Sequence, residues 1–413
     1  MATIHPFRAL RPQPAQAAAV AAVPYDVVNT GEARALAAGN PLSFLHISRP
    51  EIGLPDGTDP YSDEVYAAAV RNFATLRGAA PLVQETTPSL YVYRLRMGTH
   101  EQTGVAGCFS VDEYGSDVIR RHERTRKDKE DDRTRHILET RAQTGPVFLT
   151  YPASAAVDTV VARAVAGSPL FDFTAADGIQ HTLWIVADAD APALVDAYAA
   201  IRSLYIADGH HRAASAMRAR ETLRDRTPGA GPIEGDTFLA VAFPDDQTQV
   251  LPYHRVVKDL GGHSPESLLE GLADHVGIGP GTDTPAGTPA GPGEVSMYLA
   301  GEWYTLRLIA APDGTPAADR LDVQLLHDQV LEPLLGVGDP RTDKRIDFIG
   351  GIRGPAALAE RVDSGAAAVA FAMYPVSVAE LMAIADAGGI MPPKSTWFEP
   401  KLRDGLLTHL IEE

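Results

Sequence analysis

Residues 204–226, LYIADGHHRAASAMRARETLRDR, carry the pattern on which the fold prediction rests. The apolar run 204–207 predicts a short buried strand, and the alanine-rich stretch 213–224 predicts a helix. Strands and helices alternate in this way along much of the remaining chain. Strands are predicted over 90–97, 146–151, 238–243 and 367–373, and helices over 61–76, 190–203, 356–364 and 378–387. The alternation predicts an α/β fold.

The turn between strand and helix, Asp208 to Arg212, combines residues suited to an anionic ligand. A helix N-terminus presents free N–H groups, and Gly209 lets the backbone approach a ligand closely. Arg212 could clamp a phosphate, while His210 and His211 add donors or proton carriers near neutral pH. Asp208 could orient a metal, a hydroxyl group or a histidine. The alternative is a helix capped by Asp208 with solvated histidines.

A second candidate region is the charged segment 120–135, RRHERTRKDKEDDRTR, in which 8 residues are basic and 5 acidic. His122 and Glu123 follow an apolar pair at 118–119, so a strand end could deliver both to a site. Glu123 would serve as a general base. Lys129 and Arg133, four residues apart, would form a phosphate pocket. The alternative is a solvated helix face with opposite charges at i,i+4 spacing.

Smaller clusters lie elsewhere in the chain. His254 and Arg255 follow a strand and could contact a ligand or lie in a surface loop. Lys394 belongs to the proline-rich segment 391–401, which suits an anionic ligand or a terminal segment anchored by its aromatics. Only six residues are lysine, so a lysine can mark a place that requires a compact ammonium group.

Composition excludes several classes of protein. The chain of 413 residues has a net charge of −18, which disfavours nucleic-acid and membrane partners. The single cysteine, Cys108, excludes a disulfide framework and a cysteine-built zinc site. No secretory signal and no apolar run of membrane-spanning length is seen, so a cytoplasmic location is expected. Walker, HExxH and GxSxG motifs are absent.

Several motifs together resemble a bacterial and archaeal family, the domain-of-unknown-function family numbered one thousand and fifteen. The run at 206–212 also resembles the signature of free L-serine kinases in the ParB/sulfiredoxin-like superfamily. The motifs are FRALRP (7–12), PYDVV (24–28), RPE (49–51), RHE (121–123) with Thr125, Glu130 with Asp132 and Arg133, ADGHHR (207–212), His254-Arg255, and PKSTWF (393–398) with Pro400 and Lys401.

The resemblance implies an α/β (α+β) fold with a ParB/sulfiredoxin-like catalytic core over residues 85–260. An N-terminal segment, 1–84, would pack on this core. A loop or linker rich in glycine and proline, 277–294, would lead into a C-terminal α/β region, 295–413.

In the kinase relatives this turn lies at the phosphoryl-transfer centre, and a glutamate from an earlier element acts as the base. Glu123 is the first candidate for that glutamate and Glu51 the second, with Asp208 and His211 as further catalytic residues. The loop lacks the cysteine of sulfiredoxins, which argues against reductase activity. The charge of −18 argues against ParB-type DNA binding.

The predicted activity is therefore transfer of a phosphoryl group from ATP, ADP or pyrophosphate, with Mg²⁺, to the hydroxyl of free L-serine. A non-catalytic, ParB-like nucleotide-binding module and a metal-dependent hydrolase using Asp208, His210 and His122 are the alternatives. The residues expected to bind phosphate or substrate are His122, Thr125, Lys129, Arg133, Gly209, His210, Arg212, His254, Arg255 and Lys394.

Overall fold

The chain forms two compact units in the computed structural model. The first unit is Met1–Thr248 with Pro400–Glu413, and the second is Gln249–Glu399. Both units combine strands and helices, which confirms the predicted α/β class. The structure describes residues 1–78, 82–229, 231–280 and 287–411.

The first unit contains a large mixed sheet with helices packed against it. In chain order its strands are β1 (Ile4–His5), β2 (Leu10–Pro12), β3 (Leu82–Gln84), β4 (Tyr91–Met97), β5 (His100–Ser110), β6 (Ile119–Arg120), β7 (Ala142–Gln143), β8 (Val147–Tyr151), β9 (Phe171–Thr174), β10 (Gln180–Ile185), β11 (Leu204–Asp208) and β12 (Thr237–Pro244), with a further short strand, His409–Leu410, near the end of the chain. Its helices are α1 (Ala17–Val20), α2 (Thr30–Ala37), α3 (Leu45–Ser48), α4 (Asp63–Gly78), α5 (Val111–Gly115), α6 (Lys127–Thr140), α7 (Ala155–Val165), α8 (Ala191–Ala199) and α9 (His210–Arg226).

The large sheet runs in the order β6-β11-β8-β12-β5-β4-β10-β9, and β1 also pairs with β5. The pairs β6–β11 and β8–β12 are parallel, and the other pairs along this path are antiparallel. Its apolar core includes Phe109 and Ile206 from the strands, with Val157, Tyr198 and Ala213 from α7, α8 and α9. Because Ile206 of β11 and Ala213 of α9 are both buried in this core, the core fixes the position at which β11 ends and α9 begins.

The second unit is built on a six-stranded antiparallel sheet within the described residues, in the order β15-β17-β16-β19-β14-β18. Its strands are β13 (Val250–Leu251), β14 (Tyr253–Val257), β15 (Gly277–Pro280), β16 (Glu294–Leu299), β17 (Glu302–Arg307), β18 (Ile346–Gly350), β19 (Val369–Ala372) and β20 (Trp397–Phe398). Its helices are α10 (Pro265–Leu272), α11 (Asp322–Leu326), a π-helical segment (His327–Leu331), α12 (Gly354–Asp363) and α13 (Val378–Asp386).

The compact units divide the chain at other points than the predicted domains. Residues 1–84 share a unit with the segment that follows, where β1 extends the large sheet beside β5. Residues 249–260, predicted to end the core, belong to the second unit because β14 pairs with β18 and β19. The last residues, Pro400–Glu413, return to the first unit.

The predicted loop 277–294 begins with a strand, since β15 pairs with β17 in the sheet of the second unit. Residues 281–286 of that loop lie outside the described residues. None of the helices in the described ranges is both long and apolar enough to cross a bilayer.

Candidate active site at the strand–helix turn

The turn that follows β11 holds several polar side chains close to one another. Gly209 has φ +94°, and α9 begins at the next residue, His210. A Cβ atom at Gly209 would lie 2.9 Å from the Cζ atom of Arg212. Glycine therefore allows the sharp change from strand to helix and leaves room for the guanidinium group of Arg212 to fold back over the turn.

His122 and Glu123 reach the same turn because β6 runs parallel to β11. Residues after the ends of parallel neighbouring strands leave the sheet at the same edge. The His122 and His210 rings meet edge to face, with centroids 4.5 Å apart. The Nδ1 atom of His210 lies 3.7 Å from the Glu123 carboxylate, whose side chain is 49% exposed. The charged segment therefore supplies two residues to the turn.

Both of these imidazoles are neutral at pH 7. Burial lowers the pKa of His122 to about 4, and burial also lowers the pKa of His210 well below its ordinary value. Within the described residues, His122 Nδ1 and His210 Nε2 are buried without a hydrogen-bond partner. Buried polar atoms are nearly always paired, so this pair of nitrogen atoms is suited to a ligand.

Arg212 is the central cation of the turn and is 8% exposed. Its Nη1 donates to the Pro146 carbonyl, and its Nη2 lies 3.5 Å from Asp208 and 3.8 Å from Asp26. Burial opposes its charge, but Asp26 and Asp208 together raise the pKa of Arg212 above its ordinary value. Its Nε and Nη2 make no hydrogen bond within the part of the chain that the structure describes. The guanidinium group is therefore charged and has donors available for an oxyanion.

Asp208 is held between two cations. The Nζ atom of Lys401 lies 3.3 Å from its Oδ2, and the Nη2 atom of Arg212 lies 3.5 Å from the same oxygen. Burial works against the charge of Asp208, but Lys401 and then Arg212 lower its pKa below the ordinary value. Asp208 is therefore an anion at neutral pH, and these contacts make it a poor proton acceptor.

Asp404 is a further carboxyl group beside the turn. It is 2% exposed, and burial raises its pKa to about 7. Its Oδ1 has no hydrogen-bond partner in the described residues and would lie 2.6 Å from a Cβ atom at Gly145. A small cavity extends from this group, lined in part by Tyr25, Arg133 and Arg212.

Sequence reasoning did not place Asp26, Lys401 and Asp404 at the site. Asp26 and Lys401 carried a signal, because both lie in motifs that the sequence singles out and lysine is rare in this chain. Asp404 carried none. Only the return of the final residues to the first unit brings it to the turn.

His211 and Thr125 contact residues of the charged segment. The backbone N–H of Arg126 donates to Nε2 of His211 over 3.0 Å, and burial lowers the pKa of His211. Thr125 donates to the Glu130 carboxylate. The hydrogen bond between Arg126 and His211 holds the start of α6 against the first turn of α9.

Lys129 and Arg133 do not share a partner. The Lys129 ammonium donates to the Tyr61 hydroxyl over 2.8 Å at an exposed position. Arg133 donates to Asp132 over 2.8 Å and lies 4.2 Å from the centroid of the Tyr25 ring. Since Tyr25 and Arg133 line the same cavity as Arg212, Arg133 remains a candidate for ligand contact.

The candidate base Glu51 is buried and bound. It lies in a 3₁₀ turn, Pro50–Gly53, and its carboxylate is 2.8 Å from Arg49. Arg49 also donates to the Tyr25 carbonyl over 3.2 Å. Glu51 is thus linked to the residue that precedes Asp26, whereas Glu123 directly faces His210.

His254, Arg255 and Lys394 belong to the second unit. Nδ1 of His254 accepts from the Met373 N–H over 3.1 Å, and burial lowers its pKa to about 4. Arg255 donates to the backbone carbonyls of Tyr253 and Lys394, and burial lowers its pKa to about 9. The alternative of a surface loop for His254-Arg255 is wrong, because both residues are buried in β14.

A ready-made metal site is not found at the turn. Among the described residues, one group of three side chains has metal-compatible spacing, His327, Asp328 and Glu332 of the second unit. Asp208 instead faces two cations. The residues at the turn therefore do not fit Mg²⁺ as a resident ion held by the protein.

Several solved structures are similar to part of this chain. A free serine kinase in complex with AMP is 14% identical, with a TM-score of 0.33, covering 73% of this chain and 91% of that chain. SbnI with a C-terminal truncation from Staphylococcus aureus is 12% identical, with a TM-score of 0.38, covering 74% and 87%. A conserved hypothetical protein from Pyrococcus furiosus is 13% identical, with a TM-score of 0.35, covering 73% and 94%.

Sequence comparison identifies the family of the chain. No curated protein matches it. The family model described as "Protein of unknown function (DUF1015)" matches residues 4–324, which include the turn after β11 and the whole of α6. The chain therefore belongs to the DUF1015 family, as its motifs predict.

Proposed function

We propose that the first unit binds the phosphates of a nucleotide or of pyrophosphate and transfers a phosphoryl group to the hydroxyl of free L-serine. The observation that carries the proposal is the set of unpartnered polar atoms at the start of α9. Arg212, His122 and His210 each contribute buried nitrogen atoms without a hydrogen-bond partner in the described residues. A charged guanidinium beside neutral imidazoles and a helix N-terminus matches the requirements of phosphate oxygens.

The reaction would break the bond between the terminal phosphorus of the donor and its bridging oxygen. The serine hydroxyl oxygen would form the new bond to phosphorus, and its proton would pass to a carboxylate. Such a reaction depends mainly on the position of the reactants and on charge stabilisation. Arg212 would stabilise the charge on the transferred group, and His122 and His210 would donate or accept hydrogen bonds without adding charge.

Glu123 is the proposed proton acceptor and Glu51 the second candidate. Glu123 lies beside His210 and is half exposed, so a substrate hydroxyl could reach it. Glu51 is buried, and its carboxylate is bound by Arg49. His211 would act by holding the start of α6 at the turn through its contact with the Arg126 N–H. No step is assigned to Mg²⁺, which would enter with the phosphates of the donor.

The test is an assay of the purified full chain with L-serine, Mg²⁺ and each of ATP, ADP and pyrophosphate in turn. We expect O-phospho-L-serine with at least one donor, identified by phosphorus NMR and mass spectrometry. Glu123→Gln should reduce kcat by about 10²–10⁴-fold, the range for loss of a general base, and leave donor affinity unchanged. Glu51→Gln is the matched comparison and should retain most of kcat.

Two outcomes would contradict the proposal, and a third would change which glutamate is assigned as the base. Donor binding by calorimetry without any phosphoserine would indicate a nucleotide-binding module without turnover. Release of phosphate independent of serine, with a transition metal in the purified protein, would indicate a metal-dependent hydrolase. A larger loss of kcat in Glu51→Gln than in Glu123→Gln would assign the base to Glu51.

A further inference from the structure

The last residues of the described chain, 400–411, form a strap on the first unit. Asp404 and Ala22 exchange backbone hydrogen bonds of 2.9 and 3.1 Å. Leu10 and Thr408 do the same over 2.9 Å, and His409–Leu410 pairs with β7. This strap lies beyond the residues that the family model matches, 4–324. Its backbone is nevertheless part of the first unit.

Buried side chains fix the strap on both sides of Asp404. Arg403 is 3% exposed, donates to Nε2 of His181 over 3.1 Å and contacts the Asp177 carboxylate. Gly405 has φ +85°, and a Cβ atom there would lie 2.6 Å from the Phe44 ring. Because these anchors lie within four residues of Lys401, they set where its side chain starts.

From this anchored part of the strap, the side chain of Lys401 extends to the turn after β11. Its ammonium group lies 3.3 Å from Asp208 Oδ2, and its side chain is 11% exposed. Arg212 lies 3.5 Å from the same oxygen. Asp208 therefore lies between a buried cation, Arg212, and a partly buried one, Lys401, and contacts both through the same oxygen. An ammonium group carries three N–H donors, so it can bind Asp208 and a phosphate oxygen together.

We infer that Lys401 is a ligand-binding residue of the active site, which binds the terminal phosphoryl group of the donor beside Arg212. Asp208 is the positioning residue that fixes both cations. This inference rests on the proposed function, because it takes the ligand of the turn to be a phosphoryl donor. The strap thus contributes a cation to a site that also includes residues after β6 and residues of β11 and α9.

Binding of AMP, ADP and inorganic pyrophosphate to the full chain, measured by calorimetry, tests this inference. Lys401→Met should weaken the binding of pyrophosphate and of ADP by about 10- to 100-fold, the loss expected for one charge-assisted hydrogen bond. AMP lacks the terminal phosphoryl group, so the affinity for AMP should change much less. Lys401→Arg keeps the charge and should recover part of the affinity. Lys127→Met, at an exposed ion pair with Asp131, is the control and should bind like the parent protein.

The outcomes separate this inference from the proposed function. Parent-like pyrophosphate affinity in a folded Lys401→Met overturns the inference, as does an equal loss for AMP and pyrophosphate. If phosphoserine forms equally in parent and Lys401→Met, the inference fails and the kinase proposal stands. If pyrophosphate binding depends on Lys401 but no phosphoserine forms, the kinase proposal fails and the lysine keeps its role. A parent protein that binds none of the three ligands overturns both.

Discussion

At the scale of single residues, the site combines groups whose charges are set by burial and by neighbours. His122 and His210 are neutral because burial removes them from water. Asp208 stays charged because Lys401 and Arg212 lie beside it, and Arg212 stays charged because Asp26 and Asp208 lie beside it. Asp404 differs from all of them, since burial raises its pKa to about 7. Protonation of Asp404 therefore changes the charge beside the turn near neutral pH.

The raised pKa of Asp404 predicts how the free energy of unfolding changes with pH. Its folded pKa of about 7 exceeds the value of 3.8 for an unperturbed aspartate, so the folded state retains the proton more strongly. The stabilisation is complete below about pH 4 and is lost as pH rises through about 7. Asp404→Asn mimics the neutral form. Relative to the variant, the parent protein should lose about 2–3 kcal/mol between pH 5 and pH 8.

Urea denaturation of both proteins at the two pH values measures this difference. Substitution of the exposed Asp225 by Asn is the control and should give no such change with pH. Parallel stability curves for the parent protein and Asp404→Asn would show that this carboxyl group does not titrate in the predicted range.

At the scale of elements, the site depends on the connection between β11 and α9 and on the parallel pairing of β6 with β11. The pairing delivers His122 to the turn, and the connection delivers His210 and Arg212. Gly209 joins the two because its φ of +94° is a backbone conformation that side chains disfavour. The connection between β11 and α9 is therefore sensitive to the addition of a single methyl group at Gly209.

Gly209→Ala should disturb both the backbone and Arg212. The left-handed conformation costs alanine about 1 kcal/mol, and the new Cβ would lie 2.9 Å from the guanidinium carbon. Gly98→Ala is the matched control, because Gly98 also has positive φ but nothing lies within 4 Å of its Cβ position. We expect about 1–2 kcal/mol more destabilisation at Gly209 and weaker pyrophosphate binding. Equal urea midpoints and equal affinities in the two variants would refute this account.

At the scale of the whole molecule, the order of the chain differs from the order of its compact units. The second unit is inserted between Thr248 and Pro400, and the strap 400–411 returns to the first. Apolar side chains at Leu406, Leu407 and Ile411 are buried, so the strap contributes to the core as well as to the site. Loss of one of its anchors should therefore affect global stability.

Arg403→Ala should destabilise the protein by about 3 kcal/mol, because it removes one partner of a buried hydrogen-bonded network and leaves His181 Nε2 unpaired. The control is Arg163→Ala, which removes a half-exposed ion pair with Asp190 and should cost less than about 1 kcal/mol. Urea midpoints with unchanged m-values measure both effects. A midpoint for Arg403→Ala no lower than for Arg163→Ala would contradict an anchoring role.

The sequence by itself determined the local elements and the family. The apolar run before Asp208, the alanine-rich helix after it, the alternation of apolar residues in β4 and the buried run of β8 depend on near neighbours, which the sequence states directly. The motifs identified the DUF1015 family and the turn at 208–212. The charged segment could also be connected to a strand end, because an apolar pair precedes His122.

Only the tertiary structure decided which distant residues complete the site. Lys401 reaches Asp208 because the strap pairs with residues near the N-terminus, and no local pattern encodes that pairing. The burial of Arg255 depends on β18 and β19 flanking its strand. Hydrophobic periodicity reports which face of an element is buried, whereas long-range pairing depends on the packing of the whole core, so the position of the strap had to be seen in three dimensions.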